Sequence, residues 1–538
     1  LQTFYHHLYS QLSEAAMNSL TALSTGSLRV LFTVCLAAVI LPLNFVSGAV
    51  ATPAIARELG GSAQALSWIT NSFMLTFGCF LMAAGALADE LGRKKVFISG
   101  VSLFALLSLL QAFSSNLLWI DLLRAAQGIA AAGALAGGAA ALAQEFDGAA
   151  RTRAFSLMGS SFGIGLAFGP FLAGVLIAHF GWRSVFFSAT VIAALALVSG
   201  ASKMRETRNP QATGIDWPGT VSFTAMLALL TWALMEIPQS GLQSVRVLSL
   251  LAGAALLLAV FVMVERRVNN PMLDLSLFRY IRFIGVQALP LATGFCFVVL
   301  LVILPMLFIG VENLSEERAG LMMMALSVPM LVVPLLAAWL TRRVSAGVLC
   351  TSGLVIAAAG LGWLSQAVLA QDMTAMIAPM VVIGIGTGLP WGLMDGLSVS
   401  VVPKERAGMA TGIFSTTRVA GEGVSLAIVG AILSALTQTA LTANFAGSAI
   451  SVQAVSSPAI SQAAQRLATG NLAVAQQIIP QASTAQLQQI YAASLHPLLL
   501  CLMAITLFSA LVVLLALRGN HQDGSDPVPA GCQKDLSP

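Results

Sequence analysis

Two apolar runs, residues 67–88 and 96–114, are each long enough to cross a bilayer, and a short charged block, GALADELGRKK at 85–95, interrupts them. A spanning helix needs about 20 mostly apolar residues. A soluble core would not set such a block between two runs of this length. A membrane would take both runs and leave Asp89, Arg93, Lys94 and Lys95 in water. Only 9% of the 538 residues are charged and 57% are hydrophobic, against about 25% charged in ordinary soluble domains. Such a chain cannot build a wettable surface, which leaves a multi-spanning membrane protein as the comfortable class.

Apolar runs of spanning length recur at about 28–52, 67–88, 96–114, 117–144, 154–178, 183–202, 217–237, 245–264, 282–309, 318–341, 346–369, 376–401, 407–436 and 495–517. These fourteen predict an all-α polytopic protein with both termini on one side. Lys and Arg set the direction. With the N-terminus inside, Arg57, Arg183, Arg246, Arg318 and Arg466 fall outside and Arg124 and Arg418 fall within helices. All other Lys and Arg then fall on cytoplasmic segments, as the positive-inside rule expects. Trp68, Trp119 and Trp182 fall near the outer interface, where aromatic belts sit. The runs divide into a cytoplasmic segment 1–27, a six-helix bundle 28–202, a linker with two inserted helices 203–281, a second six-helix bundle 282–517 and a tail 518–538. Within the second bundle, 437–494 reads as one long outer loop whose sole charge is Arg466. Its apolar spacing allows short amphipathic helices on the membrane surface, and a cap is favoured over a binding domain. The segment Glu265–Arg267, then Pro271, Asp274 and Phe278, reads as the basic re-entry into the second bundle. The first methionine is Met17, so residues 1–16 are read as preceding the true start, or Leu1 as a literal translation of an alternative start codon. The first apolar run is long enough to span and to stay, unlike a cleaved signal.

In the block at 85–95, Gly85, Asp89, Gly92, Arg93 and Lys94 follow G-x-L-a-D-r-x-G-r-k. On helix four, Arg124, Gln127 and Gly128 follow R-x-x-q-G and share one face at i, i+3 and i+4. On helix five, Gly165, Gly169, Pro170 and Gly174 follow G-x-x-x-G-P-x-x-x-G, and Gly181, Trp182 and Arg183 come next. Together these resemble the major facilitator superfamily, and the span count with its inserted pair resembles the fourteen-span drug:proton antiporter branch along nearly the whole chain. The resemblance implies two pseudo-repeated bundles with the solute path between them. It implies that Asp89 faces the start of helix thirteen, near Gly408, as a gate, since a carboxylate is favoured at a helix N-terminus. It implies an exporter from the helix-five motif, although small residues four apart also serve plain packing. A monomer and a bacterial inner membrane are likewise family expectations.

One departure stands out. Relatives usually carry L-D-x-T-[IV]-V-N-V-A-L-P on helix one. Here the Asp position is Asn44 and the Asn position is Ala49. Asn cannot titrate, so a proton carrier must lie elsewhere, and the case for a bulky cationic substrate weakens. Asn44, Gln127 and Gly128 remain candidates for the substrate path. Ionisable residues at membrane depth are functional candidates by default. Arg124 either forms a static ion pair with Asp121 or tunes a nearby carboxylate. Glu422, four residues after Arg418, either pairs with it or joins Asp395 and Arg418 in a cluster that exchanges protons with solute. Glu236 reads as an interface residue at the outer end of helix seven.

No phosphate loop, Cys/His cluster or nucleophile–base–orienter trio is recognisable, so neither a cofactor, a metal nor an enzyme is expected, and the charge balance gives no sign of nucleic acid. Partners are a small-molecule substrate, protons and the bilayer. The expected activity is proton-coupled export of small amphipathic compounds. The alternative is dedicated export of one metabolite class, such as an amino acid or a siderophore.

Overall fold

The computed structural model describes residues 25–61, 63–208, 216–241, 243–268, 275–402, 407–446 and 457–518. The N-terminal segment through 24, the re-entry residues Pro271 and Asp274, and the tail beyond Arg518 lie outside the described residues. Among the described residues, fourteen segments are long and apolar enough to cross a membrane. In chain order they begin with α1 (Thr25–Leu59), α2 (Ala63–Leu91), α3 (Arg93–Ala112), α4 (Leu117–Glu145), α5 (Gly148–Phe180) and α6 (Arg183–Gly200). The inserted pair is α7 (Trp217–Ser240) and α8 (Val245–Glu265). Then come α9 (Ile281–Val311), α10 (Glu316–Leu340), α11 (Ala346–Leu369), α12 (Ile377–Ser400) and α13 (Ala407–Ala446). Two shorter helices, α14 (Ser457–Ala468) and α15 (Leu472–Ile478), precede the last span, α16 (Thr484–Leu517).

The first bundle packs α2 along α4, α1 along α5, and α3 along α4 and α6. The second packs α11 along α12 and α16, α10 along α12, and α9 along α16 and α13. The bundles meet where α5 runs against α10 and α12, and where α2 runs against α13. The inserted helices pair with each other, and α7 leans on α2 and α13 at this seam. Lipid-facing positions on α3, α6 and α8, such as Leu106, Val198 and Leu256, stay exposed at 52%, 83% and 66%. Apolar exposure on this scale is what hydrocarbon, not water, accepts. We call the end carrying residues 85–95 the motif end and the end carrying α14 and α15 the cap end.

Close approach depends on residues without side chains. A Cβ on Gly128 would strike Thr76 and the backbone of Phe73, so α4 lies directly on α2. A Cβ on Gly165 would strike the Val39 carbonyl, so α5 lies directly on α1. In hydrocarbon, where helix association gains nothing from expelling water, such contact supplies the attraction through dispersion.

Three local features differ from the sequence expectations. The last two spans are longer than their apolar runs: α13 has 40 residues and α16 has 34. At 1.5 Å per residue these reach about 60 and 51 Å, against a hydrocarbon core of about 30 Å, so both project beyond it. The expected loop 437–494 therefore shrinks, because Thr437–Ala446 and Thr484–Ser494 continue helices with polar residues. Ser483 starts α16 with a capping box to Gln486. Second, α14 does not lie out on the membrane surface. Its face Ile460, Ala463, Ala464 and Leu467 is buried in the core, and it packs on α13. Third, α9 passes through π turns at Gly294–Val298 and Met306–Val311, each following a proline, Pro290 or Pro305, that removes a backbone donor.

Candidate functional site

Each bundle buries one arginine completely, Arg124 on α4 and Arg418 on α13, both at 0% exposure. A guanidinium cannot shed its charge in a protein, so each needs acceptors. Arg124 donates through Nε to the Ile69 carbonyl at 2.8 Å, and through Nη1 to Gln127 Oε1 at 3.0 Å and to Asn44 Oδ1. Its Cζ lies 4.5 Å from the centre of the Phe73 ring, a cation–π distance. Gln127 in turn donates to Ser108 at 2.6 Å and accepts from Gln111 at 3.0 Å. The R-x-x-q-G pair thus works as one polar network. Of the two readings of Arg124, the static ion pair with Asp121 is not formed, because the guanidinium turns inward to α1 and α2. Asp121 Oδ1 is left buried without a protein partner, as are Arg124 Nη2 and Asn44 Nδ2.

Arg418 donates through Nη1 to both oxygens of Asp395 on α12, at 2.9 and 2.8 Å. Both side chains are almost fully buried. A buried pair of this kind is held by geometry more than by net energy, since desolvation opposes the Coulomb gain. The guanidinium also lies 4.6 Å from the Phe162 ring centre of α5, in the other bundle. Glu422 sits one turn along α13 and is 2% exposed. It does not pair with Arg418: its Oε1 has no protein partner. Beside it are Ser425, whose hydroxyl is also unpartnered, and Gly294 at the first π turn of α9. π turns inside α-helices concentrate at functional sites. The expected trio is therefore present as a close pair with a third, unengaged carboxyl nearby.

This pair lies on the seam. A Cβ on Gly159 of α5 would strike the Asp395 carboxylate, and one on Gly163 would stand 2.5 Å from the Trp391 indole nitrogen. Trp391 Nε1 donates to the Gly159 carbonyl at 3.2 Å. Further toward the cap end, Ser327 of α10 donates to the Ala167 carbonyl of α5. The helix-five motif glycines divide their work. Gly165 and Gly169 face α1, while Gly174 faces Glu316 and Gly320 of α10, next to Pro170 and Phe171. Trp391 was not singled out in the sequence, since a tryptophan inside an apolar run looks like any core aromatic.

At the motif end, Arg93 donates to Asp89 from Nη2 at 2.7 Å and from Nε at 3.1 Å. Gly92 turns with φ 117°, a conformation few other residues adopt, and lies against Glu206. The Arg93 N–H donates to the Thr207 carbonyl, so the motif fastens α2 and α3 to the segment after α6. Lys94 is partly buried and Gly85 has open space around it. Residues 403–406, leading into α13, lie outside the described residues, and with them the anticipated docking of Asp89.

Between the bundles at the cap end lies a cavity of about 1110 Å³, walled by α1, α2, α7, α9 and α13 and roofed by α14 and α15. Trp68 and Trp232, both on its wall, meet edge to face at 6.4 Å. Glu236 proves to be a wall residue only 4% exposed, with Arg246 at 3.1 Å and Ser240 at 2.9 Å on its Oε1. Trp182 is likewise buried, donating to Glu58 at 2.7 Å. Asn44, Gln127 and Gly128, expected on the substrate path, sit behind the wall, in the interior of the first bundle.

Residues 33–426 match the Major Facilitator Superfamily. The multidrug resistance protein Stp of Mycobacterium tuberculosis is 31% identical over 387 residues, 72% of this chain and 72% of that protein. The cephamycin export protein CmcT of Amycolatopsis lactamdurans is 32% identical, over 71% of this chain and 79% of its own. An auto-inhibited POT family peptide transporter superposes with a TM-score of 0.57 at 17% identity, over 93% of this chain and 99% of its own. The xylose transporter XylE from E. coli superposes with a TM-score of 0.52 at 13% identity, over 90% and 98%. With the family's pattern running from the first bundle into the second over residues 33–426, the chain belongs to the Major Facilitator Superfamily, as one of its fourteen-span members.

Proposed function

We propose that the protein exports small amphipathic compounds across the bacterial inner membrane in exchange for protons, by alternating access. The observation that carries this reading is the Asp395–Arg418 pair. It is buried, it faces the other bundle through Gly159 and Phe162, and it has a second carboxyl, Glu422, one turn away. The bias of Lys and Arg supports a cytoplasmic motif end. The cap-end cavity then opens outward, while the α5–α12 contact closes the inward path. Substrate leaves from this state. A proton entering from the cavity side meets Glu422 and passes to Asp395. A neutral Asp395 no longer balances Arg418, so the pair loosens and α12 parts from α5. The proton then leaves to the cytoplasm and substrate binds. One charge moved through about 100 mV releases roughly 2.3 kcal/mol, which sustains a concentration ratio of some tens at about 1.4 kcal/mol per decade.

The test uses purified protein in liposomes with an imposed pH gradient and an internal pH dye. Cationic, neutral and anionic compounds are added in turn. Substrate-triggered proton movement that disappears in Asp395→Asn and Glu422→Gln supports the reading, and several unrelated active compounds make the exporter polyspecific. Response to a single class favours the dedicated exporter. Transport with unchanged pH dependence in both variants overturns the coupling role.

A further inference from the structure

The roof presents its polar side to the cavity. In α14 the residues Ile460, Ala463, Ala464 and Leu467 are buried against the bundle, while Gln462, Gln465 and Arg466 line the cavity, with Thr469 just past the helix end. These two sets occupy opposite faces of one helix, as a period of 3.6 requires.

The roof is also held firmly. The turn between α14 and α15 is Gly470, at φ 76°. A Cβ on Gly310, in the second π turn of α9, would strike the Gly470 carbonyl, and one on Gly470 would stand 2.9 Å from the Met306 carbonyl. The Asn471 N–H donates to the Arg466 carbonyl at 2.8 Å, and the Asn471 side chain caps α15. The backbone of Arg466 is therefore fixed over the cavity.

Charge balance then singles out Arg466. Each carboxylate on the cavity wall has its own arginine: Glu316 has Arg57 and Glu236 has Arg246. Just beyond the end of α9, Glu312 is met by Gln488 at 3.5 Å, and burial pushes its carboxyl up, toward the neutral form. The Arg466 guanidinium has no carboxylate partner among the described residues. It is the sole charge in residues 437–494. Further in, helix one offers Asn44 where a carboxylate would have balanced Arg124.

We infer that the cap end of the cavity is a release-side site for amphipathic organic anions, with Arg466 on the carboxylate, sulfonate or phenolate and Trp68 and Trp232 along the apolar body. The inference deepens the export reading by naming a substrate class, and it rests on that reading for its role in transport. Guanidinium suits this task because its fork of donors matches a planar anion. The tryptophans supply broad apolar area without demanding one shape.

The test is equilibrium binding to the full-length protein in nanodiscs of neutral lipid, read by fluorescence anisotropy at pH 8 against empty discs. The probes are fluorescein and rhodamine 6G, which share a xanthene core and differ in charge. Fluorescein binding that weakens about tenfold or more in Arg466→Gln, and is largely restored in Arg466→Lys, supports the inference. Gln462→Glu sets a negative charge on the same exposed face and weakens fluorescein while favouring rhodamine 6G. Preference for rhodamine 6G in the unaltered protein, or fluorescein binding indifferent to Arg466→Gln and Gln462→Glu, overturns it. A repeat in discs containing anionic phospholipid separates substrate from headgroup: loss of fluorescein binding there, through Arg466, makes the occupant a lipid and overturns the substrate assignment. Because binding is read without a gradient, fluorescein held by Arg466 in a protein that moves no protons sinks the coupling mechanism alone. Proton-coupled export with no role for Arg466 sinks only this site.

Discussion

Trp391 of α12 donates its indole N–H to the Gly159 carbonyl of α5, 232 residues away in sequence, at 3.2 Å. The bond joins the two bundles beside Asp395, whose carboxylate occupies the space a Cβ on Gly159 would need. In the proposed alternating-access cycle this contact must break to open the motif end, so weakening it should shift the balance of states. Gly159→Ala is favoured within α5 itself by about 1 kcal/mol of helix propensity, yet it pushes α12 away. Trp391→Phe removes one hydrogen bond, about 1 kcal/mol, or roughly fivefold in the equilibrium. Spin labels at Leu91 and Thr341, both exposed near the motif end, should report longer distances in both variants, more so in Gly159→Ala. Unchanged distance distributions would mean that the contact does not hold the bundles together.

Asp395 and Arg418 differ in what each can do when left alone. Removal of one partner from a buried pair costs about 3–5 kcal/mol when the remaining charge is uncompensated. Asp395→Asn leaves a guanidinium that cannot neutralise itself. Arg418→Gln leaves a carboxyl that can take up a proton. Asp395→Asn should therefore lower the thermal unfolding temperature more, and the Arg418→Gln loss should shrink as the pH is lowered. The double variant should be more stable than the sum of the single losses predicts. Strict additivity would show that the two side chains are not coupled.

The spans were legible in the sequence because lipid demands a long apolar run for every crossing, and the loop at Asp89 and Arg93 was legible because water demands charge between them. The partners of Arg124 were not. Asp121 was the nearest carboxylate along the helix, but the side chain turns toward α1 and α2, and only the packing of Gly128 on α2 and of Gly48 near the guanidinium decides that. Glu236 was read as interfacial because its depth along α7 suggested it. Its burial depends on how α7 leans across α2 and α13. The roof was partly readable. Ser483 with Gln486 is a capping-box signature, and the alternation of Ile460, Ala463, Ala464 and Leu467 is helical. Neither says that the helix would fold inward, which follows from Gly310 meeting Gly470 across 160 residues of chain.

Asn44 accepts from Arg124 but leaves its own Nδ2 and Arg124 Nη2 unpartnered. Asn44→Asp replaces a neutral acceptor with a charged one of the same shape and removes one orphan donor. A hydrogen bond to a charged group contributes about 1.5–3 kcal/mol, against the desolvation of one added carboxylate that arrives already paired. The variant should unfold at a higher temperature and should export cationic compounds better than the parent, since the first bundle no longer carries an unbalanced positive charge. Lower stability with an unchanged substrate profile would show that the Asn44 oxygen is not the acceptor that matters to Arg124.

Gly310 and Gly470 let the turn after α14 sit on the second π turn of α9, and no side chain fits between them. Gly310→Ala pushes the turn away sterically. Gly470→Ala adds strain from its positive φ, and such changes destabilise by about 1 kcal/mol or more. Both should detach α14 and α15 without unfolding the spans. Hydrogen exchange should then quicken across Ile460–Ile478 while the amides of α9 and α16 stay protected. The roof should also lose its hold on ligand, raising the concentration needed for half-maximal binding while leaving proton movement through the Asp395 region intact. Equal loss of protection in the roof and the spans would mean that α14 and α15 are part of the cooperative core and not a separately detachable roof.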